Sequence, residues 1–264
     1  MKKLRKIAYI IVWILLTGGT LAGLGFVNAE QKKTTCTGTS VRLFRPGPDV
    51  MVEESTIQSL LSNGQQEMKG SPVASLNTRL LEDKIQKIPA VQNAEVFVTP
   101  SGKLHVKAWQ REPVVKIHNQ WNQSFFMDTE GTTFRITPPL TARVLVVSGY
   151  ISYRFSDETG LKDLADSLPG ARQLKDLYQL SRYIYQHPHL KSLFTQIYVN
   201  ADHEIELIPA AGTHTVLMGT TERMEEKLLN LLIFYNKASL SPEFNQYRKL
   251  NLKYRNQVIC SKNE

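Results

Sequence analysis

The pattern of apolar and polar positions is clearest in residues 91–115, where it predicts a β-hairpin. Apolar and polar side chains alternate on both sides of the sequence TPSG at residues 99–102. A period of two is typical of a strand, and proline and glycine are common in tight turns. One face of the predicted hairpin is small and aliphatic, so we expect it to pack on another layer, most simply a helix.

Two amphipathic helices are predicted before the hairpin, and a short strand at residues 40–44 precedes both. Asn77 is the expected N-cap of the second helix, and Pro89 the residue that ends it. The order strand, helix, helix, strand, strand gives a three-stranded sheet with one face covered, which is a complete small core. The apolar positions of the two helices are Ile57, Leu60, Leu61, Leu81, Ile85 and Ile88.

The remaining chain predicts a larger domain of strands with flanking helices, so the fold class is α+β. A second hairpin is expected around the turn at residues 128–131, since aspartate and glycine favour turns. Helical spacing predicts helices at residues 174–185 and 221–237. Further strands are predicted at residues 143–147, 195–199, 204–208, 214–218 and 247–260, the last with a bulge or turn near Asn256.

The composition is that of a globular protein, with 42% hydrophobic and 21% charged residues among 264. This length has room for two modest domains. The net charge of +8 would suggest nucleic acid if the charges formed a stripe. Lys2, Lys3, Arg5 and Lys6 instead lie at the amino terminus, and the remaining charge is dispersed. We interpret the basic cluster as a membrane-topology signal.

Residues 7–27 carry no charged side chain and predict a transmembrane helix about 31 Å long. The basic residues before it place the amino terminus, residues 1–6, in the cytoplasm and export the rest. A cleavable signal peptide is the competing interpretation, because residues 27–29 form a tolerable cleavage site. The length of the apolar run favours an uncleaved anchor, followed by a linker at residues 28–35.

Two cysteines, Cys36 and Cys260, lie near opposite ends of the exported part. In an oxidising compartment they could form a disulfide that closes a long loop. Two free, half-buried thiols are an equally open interpretation. Two cysteines do not make a metal site.

The β-α-α-β-β module directly after a single anchor resembles a POTRA domain. The sequence REPV at residues 111–114 and FMDTEGTTF at residues 126–134 resemble the FtsQ/DivIB family of bacterial cell-division proteins. Residues 204–220 and 250–258 are similar to the second, β-rich domain of that family. The resemblance implies a POTRA domain at residues 36–113, an FtsQ-type β domain at residues 114–260 and a tail at residues 261–264.

No pattern in the sequence predicts catalysis, so we expect no catalytic, cofactor or metal site and no enzyme. The motifs G-x-S-x-G and H-E-x-x-H are both missing. His187 and His189 lack a third ligand and are interpreted as a helix terminus. Asp128 and Glu130 do not have the spacing of a calcium loop. A single sequence does not show whether any two carboxylates converge as a wall-cleaving glycosidase requires.

Binding of a protein partner is the remaining class of function, and the closing strand is its best candidate. A last strand is expected at a sheet edge, where unpaired N–H and C=O groups recruit a partner strand. The resemblance implies that this region binds an FtsB/DivIC–FtsL type coiled-coil pair, with Tyr254 as aromatic anchor. It also implies, more weakly, contacts through a strand edge of the POTRA domain. The predicted contact residues are Tyr235, Leu250, Leu252, Lys253, Tyr254, Arg255 and Asn256.

The competing interpretation of the closing segment is a shielded strand whose lysines prevent aggregation. For the whole chain, the resemblance implies a non-enzymatic divisome scaffold in the bacterial inner membrane, at the septum, linking early and late division proteins and helping to control septal wall synthesis. One alternative is a POTRA-containing outer-membrane assembly or secretion component, although no barrel-length run of alternating strands follows. A membrane-anchored cell-wall enzyme is the other. Neither nucleic acid nor a small-molecule substrate is expected.

Overall fold

The computed structural model describes residues 13, 15–20, 34–62, 69–136, 138, 140–156, 158–238 and 246–262. Most of the predicted membrane span and of the linker after it lies outside these ranges. Within the described ranges, no helix combines the length and the apolar character needed to cross a bilayer. The chain forms two compact units, one of residues up to 44 with 53–110, the other of residues 45–52 with 111 onward.

The first unit has the predicted β-α-α-β-β order. Its three-stranded sheet has the order β1-β3-β2, with β1 parallel and β2 antiparallel to β3. A short 3₁₀ helix, Val73–Ser75, lies between the two α-helices. The elements are β1 (Gly38–Phe44), α1 (Glu54–Ser62), α2 (Thr78–Gln86), β2 (Val91–Val98) and β3 (Lys103–Gln110).

The two helices cover one face of this sheet, as the aliphatic face of the hairpin predicts. Ile57 in α1 and Ile85 in α2 are fully buried, as is Leu104 in β3. The side chain of Asn77 accepts a hydrogen bond from the Leu80 N–H at 3.0 Å, which confirms the predicted N-cap. The apolar positions predicted from the helical and strand periods therefore pack together in one small core.

The second unit contains a mixed sheet, which has ten strands across the described ranges. Their order is β13-β12-β11-β10-β9-β7-β4-β5-β6-β8. The α+β class, with a larger β domain and flanking helices, is confirmed. The elements are β4 (Pro113–His118), β5 (Ser124–Asp128), β6 (Thr132–Phe134), β7 (Leu145–Gly149), β8 (Thr159–Gly160), α3 (Ala171–Gln186), α4 (Pro188–Leu193), β9 (Phe194–Val199), β10 (Ile205–Pro209), β11 (Thr215–Gly219), α5 (Met224–Ala238), β12 (Tyr247–Asn251) and β13 (Ile259–Lys262).

Helices α3 and α5 supply one side of a single apolar core, and inward residues of the strands supply the other. Leu174 and Ile184 in α3 and Leu228 in α5 are almost fully buried. The first of these helices ends at Gln186, directly before His187-Pro188, and the short helix α4 begins at Pro188. Proline is well tolerated in the first turn of a helix, where its missing N–H needs no partner.

The residues directly before β4, at the start of the second unit, are bonded to the hairpin β5–β6. The Arg111 guanidinium lies 2.8 Å from the Asp128 carboxylate. The other Asp128 oxygen accepts hydrogen bonds from the N–H groups of Glu130 and Thr132. Since Arg111 and Asp128 come from the two short motifs REPV and FMDTEGTTF, those motifs form one structural unit.

Residues 45–52 group with the second unit, although they lie between β1 and α1 in the chain. The Asp49 carboxylate accepts a hydrogen bond from the Arg143 N–H at 3.2 Å. Met51 and Val52 are each only 3% exposed. The second unit is therefore discontinuous in sequence, whereas the predicted POTRA boundaries, residues 36–113, describe an unbroken domain.

Both cysteines are free thiols. Cys36 is buried next to β1, and Cys260 is half-buried in β13. Of the two interpretations left open by the sequence, the structure has the unpaired one. Burial raises the pKa of the Cys260 thiol, which reduces its reactivity.

Candidate partner-binding site

The closing segment forms two strands instead of one. Strand β12 pairs in parallel with β11 on one side and antiparallel with β13 on the other. Asn251 lies opposite Ile259, and Leu250 opposite Cys260. The prediction of a strand over residues 247–260 with a bulge or turn near Asn256 is therefore correct for the turn but not for a continuous strand, and within the described residues the edge of the sheet on this side is β13.

The chain leaves β12 through a turn fixed by local hydrogen bonds. The Leu252 N–H still donates to the Leu217 carbonyl at 2.9 Å, and the Asn251 side chain accepts from the Lys253 N–H. Asn256 has a φ of 57°, which is left-handed, and asparagine adopts this conformation more readily than most residues. The turn near Asn256 was predicted, but the reversal into a further strand was not.

Four of the predicted contact residues share this turn, which we call the 253–256 loop. Lys253, Tyr254, Arg255 and Asn256 are all exposed, and the Tyr254 side chain is 52% exposed. An aromatic ring between two cations on a surface turn is typical of residues that dominate protein interfaces. The structure thus leaves this part of the predicted site accessible.

Lys253 is the member of the loop held most firmly. Its ammonium lies 2.5 Å from the Glu204 carboxylate, and this hydrogen bond, with the attraction between the charges, raises the pKa of Lys253. The stem of the side chain passes over Gly219, where a Cβ atom would lie 2.9 Å from the Lys253 Cγ. Gly219 also has a φ of +75°, so both the backbone and the close approach require glycine.

Leu250 and Leu252 do not belong to the accessible surface, which corrects their prediction as contact residues. Their side chains are 0% and 2% exposed and form part of the core with Val216 and Leu228. Leu250 points inward because it lies opposite Val216 in the sheet. Both leucines therefore lie in the core of the second unit.

Tyr235 lies away from the 253–256 loop. It is half-buried on α5, and its hydroxyl is 2.5 Å from the His214 Nε2. Burial lowers the pKa of His214 and raises that of Tyr235. The neighbouring Phe234 ring lies 6.1 Å from the ring of Tyr247, at the beginning of β12, so it is Phe234 that contacts the start of the strand that the loop follows.

The lysines of β12 and of its loop are engaged by carboxylates. Lys249 lies 3.5 Å from Glu206, and Lys253 is paired with Glu204. The first pair joins β12 to β10, and the second joins the 253–256 loop to the residue before β10. Strand β12 is thus shielded by β13, as the competing interpretation of the closing strand expects.

The groups considered for metal binding have other partners. Both Asp128 oxygens accept hydrogen bonds, from Arg111 and from the turn that follows. The Nδ1 atom of His187 lies 2.7 Å from the Tyr183 carbonyl, and the two rings are in contact. In the part of the chain that the structure describes, no three His, Cys, Asp or Glu residues are grouped to hold a metal ion.

In a comparison with known proteins, each of the two units matches a family model. The family model described as POTRA-like domain matches residues 34–109. The family model described as FtsQ/DivIB, C-terminal related, matches residues 112–261, which is more than half of the chain. The chain belongs to the FtsQ/DivIB family. No curated protein matches the chain.

The FtsQ/DivIB match covers every strand of the larger sheet, from β4 into β13. Its members are cell-division proteins that are generally non-enzymatic. The family also implies interaction with other division proteins. The sequence analysis did not predict strand β13, in which Ile259 is 43% exposed. The β-branched pair at residues 258–259, after the Asn256 turn, was the signal for it.

Proposed function

We propose that this protein is a non-enzymatic scaffold of the bacterial divisome. It links early and late division proteins at the septum and helps to control septal wall synthesis. The observation that carries the proposal is the pair of family matches in the expected order, a POTRA-like domain and then the FtsQ/DivIB domain.

The proposed location is the inner membrane, with one span at residues 7–27. The amino terminus is cytoplasmic because Lys2, Lys3, Arg5 and Lys6 precede the span. Both folded units are then extracytoplasmic. This orientation places the POTRA-like domain next to the membrane and leaves the larger sheet free to meet partners.

The proposed contact for partners comprises β13 and the 253–256 loop. An edge strand offers its outward N–H and C=O groups to an extended segment, and exposed side chains beside it select the partner. Ile259 offers an apolar contact on the strand, and Tyr254 and Arg255 offer an aromatic ring and a cation at its start. We propose that the partner is an FtsB/DivIC–FtsL type coiled-coil pair.

The POTRA-like domain contributes a second contact through β1. The outer side of β2 is engaged by α2, since the Glu82 carboxylate accepts a hydrogen bond from the Val96 N–H at 2.7 Å. Gln86 also donates to Asn93 on the same strand. Of the two edge strands of this sheet, β1 is therefore the one proposed to receive a partner.

The site is tested by recovery of the FtsB/DivIC-type partner on the full-length protein from cross-linked cells. A Tyr254→Ala/Arg255→Ala variant should lose most of this recovery while remaining folded and membrane-bound. Tyr150→Ala is the matched control, because Tyr150 is also exposed, at 46%, but follows β7. Equal recovery by both variants would remove the 253–256 loop from the site.

The scaffold role is tested separately by depletion of the protein. Cells without it should grow as filaments with blocked septa. Normal septation after full depletion would refute the role, whatever the loop binds. Cleavage of wall polymer by the purified full-length protein would instead support the enzyme alternative.

A further inference from the structure

The face of the three-stranded sheet opposite the two helices carries aromatic and basic side chains in register. Leu104, Val106 and Ala108 of β3 are buried under the helices, so the alternate residues of β3 point to the other side. Pairing places Arg42 beside Lys107, and Phe44 beside Trp109. We call this surface the open face and define it by Arg42, Phe44, Phe97, Lys103, Lys107 and Trp109.

The aromatic rings of the open face are held in place by their neighbours. The Phe44 and Trp109 rings stack with centroids 5.2 Å apart, and Phe97 stacks on His105 at 5.4 Å. The Lys107 ammonium lies 5.2 Å from the centre of the Phe97 ring. Phe44 and Phe97 nevertheless remain 37% and 40% exposed. Exposed aromatic rings grouped on one surface mark a place of interaction.

The open face has a positive charge balance. Arg42, Lys103 and Lys107 are its cations, and Glu95, 3.9 Å from Lys107, is the one carboxylate in the same rows of the sheet. Arg42 and Lys103 are both exposed. The complementary surface must therefore be negatively charged and able to accept aromatic rings. The headgroup layer of an anionic bilayer has both properties.

The chain itself keeps this face close to a membrane, if residues 7–27 span one as we propose above. Ten residues lie between the last residue of that span, Val27, and the first residue of β1, Gly38. Even fully extended, the eleven Cα–Cα steps from Val27 to Gly38 reach only about 38 Å. Gly38 is paired with Lys103, so the chain enters the unit beside a basic residue of the open face.

We propose that the open face binds the anionic surface of the membrane in which the chain is anchored. The rings lie at the level of the headgroups, and the cations contact lipid phosphates. The surface is too small to bind strongly alone, but the short connection to the anchor raises the local concentration of lipid around it. Binding then fixes how the POTRA-like domain lies on the membrane.

The test uses the full-length protein reconstituted in vesicles containing about one-third phosphatidylglycerol, a content chosen to give a negative surface. A Trp13→Phe/Trp121→Phe variant retains Trp109 as its only tryptophan, since the chain has three. Brominated lipids quench tryptophans that lie at the bilayer surface. We expect Trp109 to be quenched, and the quenching to be lost at high salt or without phosphatidylglycerol.

Charge reversal provides the matched comparison. Arg42→Glu/Lys103→Glu in the single-tryptophan background should abolish the quenching. Lys84→Glu/Lys87→Glu makes the same charge change at exposed positions in and just after α2, and should leave the quenching intact. Circular dichroism and thermal unfolding establish that both variants fold.

The outcomes separate this proposal from the proposed function. A protein that does not float with the vesicles has no anchor, which refutes the proposed location. A protein that floats while Trp109 remains unquenched refutes the lipid contact alone and assigns the open face to a protein partner. Quenching that both double variants lose equally would also overturn the proposal.

Discussion

The Arg111 guanidinium and the Asp128 carboxylate lie 2.8 Å apart, with side chains that are only 12% and 2% exposed. Arg111 begins the segment that enters the larger sheet, and Asp128 ends β5 and fixes the following turn. The guanidinium also lies 3.6 Å from the Glu158 carboxylate and 5.7 Å from the Phe134 ring centre. This buried ion pair therefore connects three separate parts of the FtsQ/DivIB domain.

Removal of one member of this pair should strongly destabilise the protein. We expect Asp128→Ala to lower the free energy of unfolding by about 3–5 kcal/mol, because it leaves a buried charge without its main partner. Urea denaturation measures this loss. Glu95→Ala removes a carboxylate from the exposed Lys107 pair and should cost less than about 1 kcal/mol. Similar losses in the two variants would contradict the role of Arg111–Asp128.

Substitutions at Leu250 and Tyr254 should differ in their effect on the stability of the protein. Leu250→Ala creates a cavity in the core, and we expect a loss of about 2–5 kcal/mol in the free energy of unfolding. Tyr254→Ala changes an exposed side chain and should remain within about 0.5 kcal/mol of the parent protein. Denaturation curves of the two variants check both values. A destabilising Tyr254→Ala would mean that the loop is part of the core.

Gly219→Ala should be destabilising for two separable reasons. The positive φ disfavours any side chain, at a cost of about 1–3 kcal/mol, and the new Cβ atom meets the stem of Lys253. Adding Lys253→Ala removes the contact but not the backbone cost. We therefore expect the double variant to recover part of the lost stability, as measured by thermal unfolding. Additive losses in the double variant would show that the contact is unimportant.

The stability of the protein should depend on pH through His214. Burial lowers its folded-state pKa from the ordinary 6.5, so the unfolded chain binds the proton more readily. The contribution of neutral His214 to stability is therefore complete above about pH 6.5 and is lost as the pH falls toward the folded-state pKa. His214→Gln should flatten the pH dependence of the melting temperature in this window.

The exposed His189 provides the control for that experiment, since His189→Gln removes an imidazole without a buried contact. The two variants should differ in slope below pH 6.5, and equal slopes would exclude His214 as the group responsible. The partner of His214 is the Tyr235 hydroxyl. Because burial raises the pKa of Tyr235, that tyrosine does not titrate in the same range.

Local patterns predicted the first unit almost completely. Strand alternation, the Asn77 cap and the proline after α2 all act over a few residues, so a single sequence shows them. The same reasoning located the strands β9, β10 and β11 and the helices α3 and α5. These elements have strong apolar periods that the sheet and its helices bury together.

The site was predicted less well because it depends on pairing between distant segments. Alternation continues from Leu250 through Leu252 to Tyr254, so the pattern itself contains no sign that Leu252 ends the ladder. The chain turns because Asn251 and Asn256 form local hydrogen-bonded and left-handed conformations. The β-branched pair at residues 258–259 is a local signal for a strand, but which strand becomes the edge is decided only when β13 pairs with β12.

The discontinuity of the second unit affects the order in which the protein can be completed. Residues 45–52 leave the ribosome before the whole of residues 53–110, yet they group with the sheet that follows. This segment must therefore wait until the rest of the larger domain has been synthesised. A gene truncated to start at Arg111 would encode every strand of the larger sheet. It would lack Asp49, Met51 and Val52, which belong to the same unit.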